Sequence, residues 1–531
     1  MLASLTERLT AHPKRTLLLV GLFVVLAGVL GGPVAGLLKS GNAFRNPDSG
    51  SADATHRIER ATGAQEAPGV VALAPAAAAP ALARALRAEP GVAHVTTGGP
   101  ALTSRDGDQA AVAFLQSMGV GGAIVAVAAA AMSLLVAPAV FVVWGAKLQV
   151  RARAGDDARE ERGAWYRLSR GVMRRPGLVA AVTAAVLVAV ALPAFRAHWS
   201  GVDASVLPAG ANARVVAETM ARDFPRAPGS SMALAISAPR ADAAAVGAYA
   251  ARLRDVTGVT AVAAPRPLDA GTWQVDVATS GPALGETAQR AMREIRAVDA
   301  PFPVAAGGAA ARFHDQQAGI AGSLPAAVLI LALSTVLILW LMTGSVLLPL
   351  QSLLMNALTV GAATGVLTLI FQDGHLEGLL GFTSADGIES ADFVVTAALV
   401  FALSTDYGVF LLARIKEARE RGLPDREAIA LGLQRTGGIV TAAAILLAVA
   451  IGAFVTSEIV FLKQIGLGVA VGVLVDAFVV RGLLVPSLLA LGGRWTWWSP
   501  APLRRLHARI GISEAPSRAS KRSPQPIPAE A

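Results

Sequence analysis

Eight stretches of this sequence are long and apolar enough to cross a bilayer as helices, at about residues 16–38, 118–143, 178–197, 323–343, 345–371, 391–413, 438–456 and 464–491. A hydrocarbon core about 30 Å thick takes roughly 20 apolar residues of helix, and only a helix satisfies its own backbone there without water. The expected fold class is therefore a polytopic α-helical membrane protein with about eight transmembrane helices. Composition agrees: 54% of the residues are hydrophobic and 16% charged. A soluble domain carries about 25% charged residues. There is no cysteine, which removes disulfides, thiolate metal sites and cysteine nucleophiles. The first stretch is too long for a cleaved signal peptide and lacks its small-residue cleavage pattern, so it reads as a signal anchor.

Eight spans place both termini on one side, and the basic loops say which. The segment after the second span, "GAKLQVRARAGDDAREERGAWYRLSRGVMRRP", holds nine basic residues, "RIKEARERGLPDREAIALGLQR" holds six, and the tail from Arg494 holds seven. The loop "FQDGHLEGLLGFTSADGIES" holds no Lys or Arg. Lys and Arg concentrate in cytoplasmic loops, so both termini are expected in the cytoplasm of a multi-pass plasma (inner) membrane protein. The net charge of +9 is thereby a matter of topology and not a sign of nucleic-acid binding.

Two long segments then fall outside. Residues 198–321 read as a small α/β domain: "SMALAIS", "VTAVAA", "TWQVDVAT" and "FPVAAGG" as strands, and "DAAAVGAYAARLRDV" and "ETAQRAMREIRAV" as helices. The order βαββαβ is a split βαβ arrangement. Residues 39–116 hold only an opening half: "GVVALA", the helix "APALARALRAE", "VAHVTT" and "QAAVAFL".

The chain repeats itself. "FLQSMGVGGA" at Phe114 resembles "FLKQIGLGVA" at Phe461, and each opens an apolar run ending near a proline, Pro138 and Pro486. "RRPGLVAAVTAAVLVAVALPAF" likewise resembles "HPKRTLLLVGLFVVLAGVLGG". The second half has six spans and the first only two, matching the first and last of the six. Four spans and the end of the first external domain, very roughly 200 residues on a symmetric two-half plan, are missing between "DGDQAAVAF" and "LQSMGVGG".

Several stretches resemble the MMPL branch of the resistance–nodulation–division (RND) transporters: "VLLPLQSLLMNALTVGAATGVLTLIFQDGH", "FALSTDYGVFLLARIKEARERG", "LKQIGLGVAVGVLVDAFVVRGLLVPSLLALGGRW" and, near the N-terminus, "AGLLKSGNAFRNPDSGSADA". The resemblance implies twelve spans, two porter domains and proton-driven export of lipids or lipophilic molecules. It also implies an Asp-Tyr pair in the fourth span of each half, the two facing each other as a proton relay. On this plan the chain divides into a transmembrane helix (1–38), a partial porter domain (39–116), a transmembrane helix (117–144), a basic cytoplasmic linker (145–177), a transmembrane helix (178–197), a complete extracytoplasmic porter domain (198–321), a five-helix bundle (322–493) and a basic, largely disordered tail (494–531). The tail's basic residues suit anionic lipid headgroups.

The resemblance gives the relay to Asp406 and Tyr407. Independently of it, an ionisable residue inside a span costs about 2.5–3.5 kcal/mol on insertion scales and faces protein or water. Asp406 lies about 22 Å along its helix from Ala391, past the middle. Tyr407 points about 100° away and is expected to meet a neighbouring helix. Ser404 and Thr405 add hydroxyls. In the last span, Asp476 and Arg481 stand at i, i+5, about 140° apart on an α-helix, so each is expected to find its own partner on a neighbouring helix. They serve either as structural ion pairing or to tune the field near Asp406. Their counterparts in the first half are Ala129 and Ser133 or Leu134, which carry no charge.

His314, Asp315 and His375 read as solvated groups beside the spans. The scattered histidines make no metal cluster, no GxxxxGK[ST] loop is present, and no nucleophile–base set stands out. The expectation is a transporter without cofactor, not an enzyme. Its alternatives are a truncated non-transporting accessory or decayed relative, or a half-transporter that works only as a homo-oligomer or with a full-length homologue.

Overall fold

A computed structural model describes residues 49–62, 81–82, 84–85, 92–95, 102–104, 163–208, 210–223, 232–384 and 387–510. The spans expected at 16–38 and 118–143, the linker up to residue 162, the strands expected at 69–74 and 109–115 and the tail beyond residue 510 lie outside these residues. Along the chain come α1 (Gly50–Thr62), β1 (Val92–Val95), β2 (Leu102–Ser104), α2 (Ala164–Val172), α3 (Pro176–Ala191), α4 (Asn212–Asp223), β3 (Met232–Ser237), α5 (Ala243–Arg252), β4 (Val259–Val262), β5 (Thr272–Thr279), α6 (Glu286–Ala297), β6 (Val304–Gly307), α7 (Gly308–Thr343), α8 (Leu347–Leu367), α9 (Ser390–Glu420), α10 (Asp425–Gly452), α11 (Val460–Leu474), α12 (Val485–Gly492) and α13 (Ala501–Ile510). They fall into two compact units, with α7 passing from the first to the second at Leu324–Pro325.

In the first unit the sheet runs β4-β5-β3-β6, and all of its pairings are antiparallel. Central strand β3 shows why. Met232, Leu234 and Ile236 face α5 and α6, where they pack with Val246, Tyr249, Met292 and Ile295. The alternate residues Ala233 and Ala235 face α1, packing with Ala54 and Ile58. Large residues fill one side and alanines let a helix lie close on the other, the period of two that a strand imposes. The apolar pattern predicts no helix at 50–62. The buried face of α1 is Ser51, Ala52, Ala54, Thr55 and Ile58, too small and polar to signal itself. The helix is pinned at its start, where the Ser51 N–H donates to Asp315 Oδ2 at 2.8 Å and Arg296 Nη2 meets Asp315 Oδ1 at 2.7 Å. Asp315, expected as a solvated group, is thus buried because it closes this joint. Strand β1 pairs with β2, which the apolar pattern does not mark as a strand.

The second unit is a helical bundle. Six helical segments are long and apolar enough to cross a membrane: Pro176–Arg196, Gly308–Thr343, Leu347–Gln372, Ser390–Glu420, Asp425–Thr456 and Val460–Trp497. Their outward faces carry exposed Leu178 and Val182 of α3, Ile330 and Leu333 of α7, and Leu446 and Val449 of α10. Such continuous apolar exteriors suit lipid, not water. Inside, contact is close because residues are small. At Gly365 of α8, a Cβ would overlap the Val190 carbonyl oxygen of α3. At Gly472 of α11, it would lie 2.5 Å from Val400 Cγ2 of α9. Membrane helices lack a hydrophobic drive to associate and gain from such backbone approach.

Candidate functional site

Two helical turns of α9, facing α8 and the end of α11, carry the polar residues of the bundle's centre. Helix α11 passes into a π-helical segment, Val475–Leu484, before α12. A π-helix closes i→i+5 hydrogen bonds, so residue i+5 stands nearly over residue i. This corrects the expectation for Asp476 and Arg481. They do not point apart: Arg481 Nε donates to Asp476 Oδ2 at 2.6 Å, and both side chains are almost fully buried. The α-helical angle of 140° does not apply where the helix widens.

The pair also engages α9. Ser404 Oγ lies 2.5 Å from Asp476 Oδ1, and Arg481 Nη2 donates to the Ser404 carbonyl. From α8, Asn356 Oδ1 lies 2.7 Å from the same Ser404 hydroxyl, and Asn356 Nδ2 donates to Thr405 Oγ1 at 2.8 Å. Thr405 in turn donates to the Phe401 carbonyl at 2.9 Å. Ser404 has one hydroxyl proton and two oxygen acceptors in range. The cluster is therefore acceptor-rich, with room for one further proton. Beside it lies a cavity of about 30 Å³ lined by Asn356, Ser404, Thr405, Gly408, Asp476 and Arg481. That is space for one or two water molecules. Asn356 was missed from sequence; its signal was a side-chain amide, one of two with Gln351, inside the apolar run 345–371.

Asp406 and Tyr407 take other directions. Tyr407 packs against Val440, Ala444, Val469, Val473 and Ala477 of α10, α11 and the π-helical segment, and the Arg481 guanidinium carbon lies 5.6 Å from its ring centroid. A cation over an aromatic face is attracted by the ring quadrupole. Arg481 thereby touches Asp476, Ser404 and Tyr407 at once. Asp406 sits two residues beyond Ser404, about 200° around the helix, and is exposed on a face with Ala398, Leu399 and Ala402. The structure thus joins Ser404, Thr405, Asp476, Arg481 and Tyr407 and leaves Asp406 on the opposite side of α9. His375 Nδ1 lies 2.7 Å from the Leu369 carbonyl oxygen, and His314 is half-buried in the first unit.

A bundle of lipid-faced helices around a buried ionic cluster defines a multi-pass membrane protein. The family model described as "MMPL family" matches residues 205–527. A putative membrane protein of Streptomyces coelicolor is 37% identical over 415 residues, 78% of this chain and 57% of that one. The trehalose monomycolate exporter MmpL3 of Mycobacterium tuberculosis is 34% identical over 391 residues, 71% of this chain and 41% of the exporter. The crystal structure of a heavy metal efflux pump aligns with a TM-score of 0.37 and 15% identity, over 53% of this chain and 40% of that one. The chain belongs to the MMPL family. The matches reach only 41% and 57% of the length of these two relatives.

Proposed function

We propose that this protein exports lipids or lipophilic small molecules across the plasma membrane, driven by the proton gradient, with both termini in the cytoplasm. Asp406 and Tyr407 carry the proton relay, supported by Ser404, Thr405, Asp476 and Arg481. The observation that carries this reading is the two-sided character of α9. One side holds a hydrogen-bonded charged cluster with an excess of acceptors, and the other presents a carboxylate on a membrane-spanning face. A carboxylate there is too costly to keep against lipid, so it meets protein or water. Arg481, stacked on Tyr407, connects the two sides. The lipid class follows the printed activity of the mycobacterial relative. Proton-linked export from cells expressing this chain, compared with Asp406→Asn, tests it. Loss of export in the variant is expected; equal export by both would end the relay reading.

A second reading, a half-transporter working as a pair of copies, is favoured by the Asp406 face itself. Ala398 and Ala402 beside the carboxylate are small enough for a second helix to approach closely. The chain has no cysteine, so Ala402→Cys is a unique thiol. Disulfide-linked dimers of Ala402→Cys in native membranes are expected on this reading, and their absence under oxidant would remove it.

A further inference from the structure

Below the cluster, the contact between α9 and α11 has a regular construction that the relay reading does not use. Residues four apart share a helix face. On α9 these are Asp392, Thr396, Val400 and Ser404, each at least nine-tenths buried. Facing them are Gln464, Gly468 and Gly472 of α11, then Asp476 of the π-helical segment. The last three rungs match one to one, and at the first Gln464 meets the backbone of Glu389 beside Asp392. The Glu389 N–H, at the cap of α9, donates to Gln464 Oε1 at 3.2 Å. A Cβ on Gly468 would lie 2.7 Å from Thr396 Cγ2, and one on Gly472 2.5 Å from Val400 Cγ2. Ser404 meets Asp476 at the last rung.

Two buried polar atoms on this seam, Asp392 Oδ2 and Thr396 Oγ1, and a third, Ser390 Oγ, at the first residue of α9 and about 200° around the helix from Asp392, have no hydrogen-bond partner among the described residues. A buried polar atom left without a partner keeps the cost of losing its water. Two turns of helix would not hold three of them unless something polar came in. Glu389 does not serve them, since its Oε2 accepts the Asp392 N–H at 2.6 Å as a helix cap. Lys463, the buried cation near this end of α11, donates to the Leu380 carbonyl. From α8, Leu367 is the side chain that reaches the Thr396 rung, and it is apolar. Glu389 is thus the charged group acting directly on Asp392. One hydroxyl and one carboxylate oxygen on the seam are fewer oxygens than the 6–8 of a calcium site. They suit water and a proton.

We propose that this seam is the extracytoplasmic entry path for protons, with Asp392 as the group that loads them. The proposal deepens the relay reading and rests on its topology. Asp392 takes a proton from external water, and Thr396 and water pass it inward. Val400 against Gly472 is the single dry step before Ser404, Asp476 and the acceptor-rich cluster. Ser404 lies about 12 Å beyond Thr396 along the helix, so a proton crosses the Val400 rung only when water transiently enters it.

The cysteine-free chain allows a direct test. Single variants Thr396→Cys, Val400→Cys and Leu399→Cys, in membranes of the full chain, are exposed from outside to silver ion, a probe of water size. Reaction is read as lost labelling by a fluorescent maleimide after denaturation. Thr396→Cys is expected to react about tenfold faster than either Val400→Cys or Leu399→Cys, which lies on the exposed face at similar depth, because a thiol reacts where water reaches it. Equal rates at Thr396 and Leu399, or reaction only from the cytoplasmic side, would overturn the path. In the same membranes, a hydrophobic carbodiimide is expected to label Asp392 at low external pH and progressively less as pH rises, with sodium and potassium equivalent. Absent or pH-independent labelling, or protection by sodium, would overturn the proton site. Neither readout involves substrate. If Asp406→Asn leaves export intact, the relay reading fails while these measurements stand; if they fail while Asp406→Asn abolishes export, only the seam is lost.

Discussion

Arg481 Nε lies 2.6 Å from Asp476 Oδ2, five residues back along the same π-helical segment. Burial of both partners makes the pair conditional on its own completeness. Removing one leaves an uncompensated charge, which typically costs about 3–5 kcal/mol, whereas replacing both by apolar groups of similar size is often neutral. Asp476→Leu and Arg481→Met are each expected to lower the unfolding temperature of the detergent-purified protein strongly. The double variant should regain most of the loss. A double variant as unstable as the sum of the singles would mean that the pair is held by its separate contacts to Ser404 and Tyr407.

The seam between α9 and α11 depends on Gly472 in the same conditional way. A Cβ at 2.5 Å from Val400 Cγ2 forces one helix to move. Overpacking of this kind costs about 1–3 kcal/mol. Gly472→Ala should therefore destabilise the bundle, and adding Val400→Ala, which removes the methyls it strikes, should restore it. Thermal unfolding of the three variants decides the matter; failure of Val400→Ala to rescue would show that the helices separate for another reason.

What the sequence makes legible follows from where each signal resides. Hydropathy is a property of side chains, so the described spans overlap the apolar runs. Their ends do not: α10 begins at Asp425, while the apolar run starts at 438. Its first turns are polar because Glu427 and Gln434 hold Tyr166 of α2, the first at 2.5 Å from the phenol oxygen and the second at 3.0 Å from the N–H. The ionisable residues of the site were visible as costly exceptions inside apolar runs. Their geometry was not. Whether Asp476 and Arg481 meet depends on a local change from i→i+4 to i→i+5 bonding, and no residue type announces that change. The direction of Asp406 is likewise a matter of which face α8 and α11 already occupy.

In the first unit, Asp315 joins α1 to the start of α7 and to α6 through the Ser51 N–H and Arg296. Asp315→Asn keeps the volume and removes the charge. Hydrogen bonds to charged groups contribute about 1.5–3 kcal/mol each. Loosening of α1 is the expected consequence, read as faster proteolytic cleavage within residues 50–62 with the sheet still protected. Unchanged cleavage there would mean that Ala54, Ile58 and the Arg57–Ser237 hydrogen bond suffice to hold the helix.

Tyr407 offers two separable functions. Its ring lies under the Arg481 guanidinium, and its hydroxyl is the part that a proton relay would use. Tyr407→Phe keeps the ring and loses the hydroxyl; Tyr407→Leu loses both. A cation–π contact contributes about 0.5–2 kcal/mol, depending on how far it is desolvated. Tyr407→Phe should therefore unfold at nearly the temperature of the parent protein, and Tyr407→Leu measurably lower. If the hydroxyl carries protons, Tyr407→Phe should lose proton-linked export despite its unchanged stability, because the two measurements read different atoms of one side chain. Full export by Tyr407→Phe with a loss in Tyr407→Leu would restrict Tyr407 to holding Arg481 over its ring, and would leave Asp406 without its neighbour in the relay.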